Sequence, residues 1–320
     1  MPDRVFVSRN LPGDALDRLR EHADVDLWPG ELPPPYEALR ERVRDADGLI
    51  CLLTDRIDAA LLEAAPRLRV ISNVAVGYDN IDLVAAAARG IPIGNTPGIL
   101  TETTADLAFA LLLAAARRIA EADRFVRDGR WQTWDPSLLL GRDLHDATLG
   151  IVGYGKIGQA VARRAQGFSM RVLYTARSDR VDASRHPGEP VALDDLLRRS
   201  DFVSLHVPLA PQTRHMIGER ELRAMKSTAI LVNTARGAVV DQPALVRALN
   251  EGWIAGAGLD VMEEEPLPPS DALLSAPNVV LLPHIGSASH ATRARMASMA
   301  VDNCLAGLRG EQLPHEVRSE

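Results

Sequence analysis

The chain has 320 residues, 46% hydrophobic and 25% charged, with a formal net charge of −7. That length is more than one compact core usually takes, so two domains are expected in an ordinary globular composition. The acidic balance argues against broad electrostatic attachment to nucleic acid or to an acidic membrane surface, and neither partner is expected. Cys51 and Cys304, the two cysteines, lie in apolar runs without paired spacing. That pattern predicts buried, reduced thiols, with no disulfide framework and no metal site. Met1-Pro2-Asp3-Arg4 leads straight into the strand-like Val5-Phe6-Val7, so no signal peptide and a cytoplasmic location are expected.

In the first hundred residues, strand-like runs at Val5–Val7, Val25–Trp28, Leu49–Leu53, Val70–Val74 and Ile91–Ile93 alternate with helical patterns. The helices read Ala15–His22, Tyr36–Arg44, Ala59–Ala64 and Leu83–Arg89. Such alternation predicts an α/β fold with a doubly wound parallel sheet. Pro33-Pro34-Pro35 reads as a connector. A strand ends at Val76, where Gly77 frees the backbone to turn. Consecutive N–H groups in such a turn can cradle an anion, although an ordinary strand-ending turn explains it as well.

Pro97-Gly98 punctuates the chain before a helix that opens near Thr101. From Leu107 to Ala116 every residue is apolar, so that helix must be buried on every side, yet it is too short to cross a bilayer. It is either an interior helix or one covered by a second chain, and a homodimer contact is preferred. Gly129-Arg130-Trp131-Gln132-Thr133-Trp134-Asp135-Pro136 carries two of the four tryptophans. It reads as a partner anchor, a lid near a ligand, or packing on a neighbouring domain.

The second half opens on Gly153-Tyr154-Gly155-Lys156-Ile157-Gly158, a G-x-G-x-x-G run. A buried-strand pattern, Leu149-Gly150-Ile151-Val152, precedes it. A helix follows, with apolar Ile157, Val161, Ala165 and Phe168 at three- and four-residue steps. In this context Gly153 permits the tight turn, Gly155 lets the backbone approach a pyrophosphate, and Gly158 lets helix and strand pack closely. The helix N-terminus then offers N–H groups to the phosphates. Beyond the next strand, Arg171–Tyr174, the acid expected to bind a ribose 2′-OH is missing, and Arg177 with Ser178 stands near its place. An arginine can bind a 2′-phosphate bidentately, so NADP(H) is preferred, with NAD(H) possible because Asp179 lies close by.

Further strands are expected at Phe202–Val207, Ala229–Asn233, Ala255–Leu259 and Val279–Leu282. Arg236, Glu265 and His284 fall just beyond the last three, where open α/β sheets place ligands. These types suit reduction of a 2-keto acid. Histidine can supply the proton for the carbonyl oxygen, a step typically worth about 10²–10⁴-fold. A carboxylate orients the imidazole, and an arginine binds the substrate carboxylate and polarises the carbonyl.

These residues resemble a known family. The runs Val74-Ala75-Val76-Gly77-Tyr78-Asp79-Asn80-Ile81-Asp82, Gly153–Gly158, Asn233-Thr234-Ala235-Arg236-Gly237, Gly258-Leu259-Asp260-Val261 through Glu265-Pro266, and Pro283-His284-Ile285-Gly286-Ser287 occur in that order. The chain resembles the D-isomer-specific 2-hydroxyacid dehydrogenases from about Val5 to Leu313, and among them the glyoxylate/hydroxypyruvate reductases. The resemblance implies His284 as acid/base paired with Glu265, and Arg236 as substrate-binding residue. It implies that the backbone of Val76 and Gly77 holds the substrate carboxylate. Thr104, Lys156, Ile157, Pro208, Thr234, Asp260 and Gly286 would join the three motif glycines, Arg177 and Ser178 around the cofactor. The long apolar helix would belong to a dimer interface, and the tryptophan segment would lie near the substrate site.

The resemblance also implies a discontinuous layout. A flavodoxin-like substrate domain would comprise residues 1–99 and 287–320, with a Rossmann dinucleotide-binding domain inserted at 100–286. Residues of both would meet in one cleft whose closure excludes water. A formate dehydrogenase would carry Gln in place of Glu265, whereas Met262 stands where relatives often have an aromatic residue. The expected activity is NADPH-dependent reduction of glyoxylate and hydroxypyruvate to glycolate and D-glycerate. An NAD-dependent enzyme for another 2-keto acid, or a non-catalytic dinucleotide-sensing scaffold, are the alternatives.

Overall fold

The structure, a computed structural model, describes residues 2–176 and 187–317. Arg177 and Ser178, the residues expected to select the cofactor, lie outside the described residues. In chain order the first elements are β1 (Arg4–Val7), α1 (Ala15–Arg20), β2 (Asp24–Leu27), α2 (Tyr36–Val43), β3 (Gly48–Cys51), α3 (Ala59–Glu63), β4 (Val70–Asn73), α4 (Leu83–Ala88) and β5 (Ile93–Gly94). They are followed by α5 (Thr101–Ala116), α6 (Ile119–Arg127), β6 (Thr148–Val152), α7 (Lys156–Gln166), β7 (Arg171–Thr175), β8 (Glu189–Pro190), α8 (Leu193–Arg199) and β9 (Phe202–Leu205). The rest are α9 (Glu219–Ala224), β10 (Ile230–Asn233), α10 (Gln242–Asn250), β11 (Gly256–Leu259), β12 (Val279–Leu281) and α11 (His290–Leu308). The chain divides into two compact units, Met1–Leu100 with Ser287–Glu320, and Thr101–Gly286.

The first unit holds a five-stranded sheet in the order β2-β1-β3-β4-β5, all pairs parallel. This is the flavodoxin-like doubly wound order. Alternation along the strands feeds two cores. Val5, Val7, Ile50 and Val70 pack with α1 and α11 residues such as Leu16, Leu19, Val301 and Leu305. Phe6, Leu49, Cys51 and Ile71 pack on the other face with Leu39, Leu61 and Leu62 from α2 and α3. The α11 helix lies so close to the sheet that a Cβ on Gly307 would come within 2.4 Å of the Val70 side chain. Both cysteines are buried free thiols, and burial pushes the Cys304 thiol up to about 12.

The second unit holds a seven-stranded parallel sheet ordered β12-β11-β10-β9-β6-β7-β8. Counted from β6, this is the order of a Rossmann sheet with one further strand. Leu149, Ile151, Ile230 and Val232 face a core shared with α5 and α7. Val152, Val203 and Leu231 face α8, α9 and α10. Parallel strands buried on both faces read as near-continuous apolar runs, which is why each of the longer strands is visible in the sequence.

The α5 helix explains its own composition. Ala105, Ala108, Phe109, Leu111, Leu112, Ala115 and Ala116 are buried within the unit. A Cβ on Gly258 of β11 would sit 3.1 Å from Leu111 Cβ, so glycine permits that close approach. The unit itself therefore covers most of the apolar run. By contrast α6 buries none of its residues, and Ile119 and Val126 are half exposed. Trp131 and Trp134 are exposed as well, at 60% and 77%. Among the described residues no helix is long and apolar enough to cross a membrane.

Candidate active site

The G-x-G-x-x-G run forms the tight connection from β6 into α7. Gly153 has φ +95°, and its N–H donates to the Thr175 carbonyl at 3.0 Å. A Cβ there would lie 2.6 Å from the His206 carbonyl oxygen, and one on Gly158 would lie 2.3 Å from the Gly153 carbonyl oxygen. Neither position has room for a side chain. Around Gly155 the space is open, since a Cβ added there meets nothing within 4 Å. Gly155 is the N-cap of α7 and makes no side-chain cap, so the N–H groups at the start of the helix, including Lys156 and Ile157, are available to an anion. Thr234 Oγ1, just beyond β10, is buried with no hydrogen-bond partner among the described residues. An open glycine cradle, an uncapped helix start and an orphaned hydroxyl fit a dinucleotide.

His206, at the end of β9, was not singled out by the sequence. Its Nε2 lies 2.8 Å from Ser204 Oγ. Burial pushes its imidazole down to about 4, so the ring is neutral at physiological pH. Pro208, two residues on, has its carbonyl fixed by the Thr213 hydroxyl at 2.7 Å.

The three ionisable candidates occupy the ends of β10, β11 and β12. His284 Nδ1 is 2.7 Å from Glu265 Oε2, with side chains 25% and 27% exposed. The other Glu265 oxygen accepts the Met262 N–H at 3.0 Å. Burial raises the Glu265 pKa, but the hydrogen bond and charge of His284, the Met262 N–H and the Arg236 charge outweigh it. The net result lies below the usual carboxylate value, so the group is ionised at neutral pH. His284 has φ +56°, a left-handed conformation that surrounding structure must hold.

Asp260 does much of that holding. Its backbone carbonyl accepts the His284 N–H at 2.9 Å, and its carboxylate oxygens accept the Ile285 and Gly286 N–H groups at 2.7 Å each. Burial raises the Asp260 pKa, and the two N–H bonds offset part of that. Thr104, on α5, donates its hydroxyl to the Gly286 carbonyl at 3.1 Å. A Cβ on Gly286 would stand 3.1 Å from Asp260 Oδ2, which is tight. Thr104, Asp260 and Gly286 thus form one bonded group behind His284. Arg236 is placed by Asn233, whose side chain accepts the Ala235 N–H at 3.0 Å and donates to the Arg236 carbonyl at 2.9 Å. That Asx turn is a role the sequence motif alone did not reveal.

Val76 and Gly77 belong to the other unit. The Asn95 amide donates to the Val76 carbonyl at 2.8 Å, and the Asn73 amide to the Gly77 carbonyl at 2.9 Å. In a trans peptide the next N–H points opposite the carbonyl, so these bonds fix the directions of the Gly77 and Tyr78 N–H groups. Asn73 and Asn80 brace the turn through a further 3.1 Å bond.

Comparison with known proteins agrees with this architecture. A family model described as D-isomer specific 2-hydroxyacid dehydrogenase, NAD binding domain, matches residues 109–286. The chain is 59% identical to a glyoxylate reductase of Korarchaeum cryptofilum, over 100% of this chain and 97% of that protein. A crystal structure of a Thermus thermophilus protein superposes with a TM-score of 0.93 at 52% identity, covering 98% of this chain and 100% of that one. The NADPH-dependent glyoxylate/hydroxypyruvate reductase of Sinorhizobium meliloti, solved with NADP and malonate, gives a TM-score of 0.87 at 35% identity, covering 99% and 97%. With its two parallel sheets and its glycine turn, the chain belongs to the D-isomer specific 2-hydroxyacid dehydrogenase family, oxidoreductases that act on a CH–OH group with a nicotinamide dinucleotide.

Proposed function

We propose that this protein reduces glyoxylate and hydroxypyruvate to glycolate and D-glycerate, with NADPH as the preferred reductant and His284 as the acid. The observation that carries the reading is the 2.7 Å contact of His284 Nδ1 with Glu265, on a carboxylate also influenced by Arg236. Because Nδ1 faces a carboxylate, it is the nitrogen that carries a proton toward Glu265, which leaves Nε2 to serve the substrate. A nicotinamide dinucleotide held by the second unit would supply the hydride for the carbonyl carbon. His284 Nε2 gives its proton to the carbonyl oxygen, completing the C–OH group. Glu265 keeps the imidazole oriented as its charge changes. Arg236 binds the substrate carboxylate and polarises the carbonyl, and the Val76–Gly77 turn offers backbone N–H groups to that carboxylate.

For the cofactor, the glycine turn with Lys156 and Ile157 holds the pyrophosphate. Thr104, Pro208, Thr234, Asp260 and Gly286 line the remainder. Arg177 and Ser178 bind the 2′-phosphate, supported by the missing acid at the end of β7 and by the NADP complex of the Sinorhizobium relative. Residues 100–286 then form the dinucleotide domain, and residues 1–99 with 287–320 the substrate domain. The half-exposed Ile119 and Val126, with Trp131 and Trp134, support a homodimer contact through α6 and the segment after it. A reducing cytoplasm suits the two free thiols.

Steady-state assays of NADPH and NADH against glyoxylate, hydroxypyruvate, pyruvate and phenylpyruvate test this reading. Glyoxylate and hydroxypyruvate with NADPH should give the highest kcat/KM. A preference for NADH of about tenfold or more would contradict the role of Arg177, since a bidentate arginine–phosphate bond favours NADPH by at least that much.

A further inference from the structure

The second unit contains another histidine–glutamate pair, and it sits on the loop that carries Glu265. His215 Nε2 bonds Glu263 Oε1. The His215 backbone N–H also donates to the Ala238 carbonyl at 2.8 Å, and Ile217 pairs with Val240 in an isolated parallel bridge. Ala238 lies two residues beyond Arg236, and Glu263 two residues before Glu265. One residue therefore grips the Arg236 turn through its backbone and the Glu265 loop through its side chain.

The two segments also touch directly. A Cβ on Gly237 would lie 1.8 Å from the Met262 carbonyl oxygen, so backbone meets backbone there with no side chain to cushion a shift. The Glu263 N–H donates to Gln242 Oε1 at 3.1 Å, and Gln242 in turn donates to Asp271 at 2.9 Å. His215 itself has φ +52°, a conformation that non-glycine residues hold only where their surroundings impose it. The pair is 41% and 25% exposed, so solvent screens it and it adds little to folding. Its value is directional: a hydrogen bond between fixed partners sets where the loop lies.

We infer that His215 and Glu263 are positioning residues that set Glu265, and through it the His284 ring, against Arg236. This rests on Arg236, Glu265 and His284 being the reacting set. Neither residue needs to meet substrate, because each acts through the loop.

The test uses full-length His215→Ala, Glu263→Ala, the double variant and His215→Gln, which restores a donor. The readouts are kcat and KM for glyoxylate, cofactor affinity, melting temperature and the ¹⁵N resonances of the His284 imidazole. Each alanine variant should lose about ten- to a hundredfold in kcat, the usual cost of an ångström-scale misplacement. The double variant should lose no more than the worse single variant, with cofactor affinity and melting temperature held. His215→Gln should recover most of the loss, and the His284 Nδ1–H signal should weaken in both alanine variants only. Unchanged kcat, additive losses, or losses that track the melting temperature would overturn the proposal. If the wild type turned over no 2-keto acid, the reading of function would fail, and the His284 resonances would still decide whether His215 positions that ring.

Discussion

Glu265 must satisfy two donors with two oxygens: Oε2 faces His284 Nδ1 and Oε1 accepts the Met262 N–H. A glutamine in its place has one acceptor oxygen, and its amide nitrogen can only donate. Glu265→Gln should therefore lose one of the two bonds and the charge, with kcat falling roughly 10²-fold while the chain stays folded; steady-state kinetics beside a melting curve checks this. The native carboxyl titrates below its usual value of about 4.3, so its contribution to stability is complete above that pH and is lost as the pH falls through the lower folded value. His206 acts in a higher window. Its folded value of about 4 lies below the ordinary 6.5, so on acidification the unfolded chain takes up a proton before the native one does. Stability is then full above about 6.5 and declines toward about 4. Urea midpoints measured across that range should fall less for His206→Asn than for the wild type, and parallel curves would contradict the assignment.

At the scale of elements, the glycine turns make distinguishable predictions. A Cβ on Gly158 strikes the Gly153 carbonyl inside the β6–α7 turn, whereas one on Gly237 strikes the Met262 carbonyl beside the Glu265 loop. Both alanine substitutions should destabilise by about 1–3 kcal/mol. Gly158→Ala should chiefly weaken cofactor binding, and Gly237→Ala should chiefly lower kcat, a split that fluorescence titration and steady-state kinetics resolve. The strands β3, β4, β6, β9 and β10 are legible in the sequence because both faces are buried, leaving little polar interruption. Others, β8 and α6 among them, are not. The β8 strand is two exposed residues, Glu189 and Pro190, too short to show a period, and α6 has an apolar side in Ile119, Ala122 and Val126 but buries none of it within the chain. The strand at Phe202–Val207 stops at Leu205, where the chain turns past Gly153.

Across the whole molecule, Arg236, Glu265 and His284 are legible because each follows an apolar strand whose end is the place for chemistry in this sheet type. What stays hidden is the support behind them: His215 with Glu263, Asp260 with the Ile285 and Gly286 N–H groups, Thr104 with the Gly286 carbonyl. Those bonds join positions far apart in the chain, and no local period encodes them. The exposed apolar residues of α6 bear on assembly. Ile119→Glu with Val126→Glu should convert a dimer to a monomer in light scattering, and an unchanged mass would remove α6 from the interface. The central claim, that His284 delivers the proton in a 2-keto acid reduction, is tested most directly by His284→Ala, with turnover and cofactor binding measured on the same preparation. The account predicts a wild type active on glyoxylate and a variant that binds NADPH normally while losing about 10²–10⁴-fold in kcat. A variant that binds NADPH and still turns over glyoxylate at the wild-type rate would contradict it.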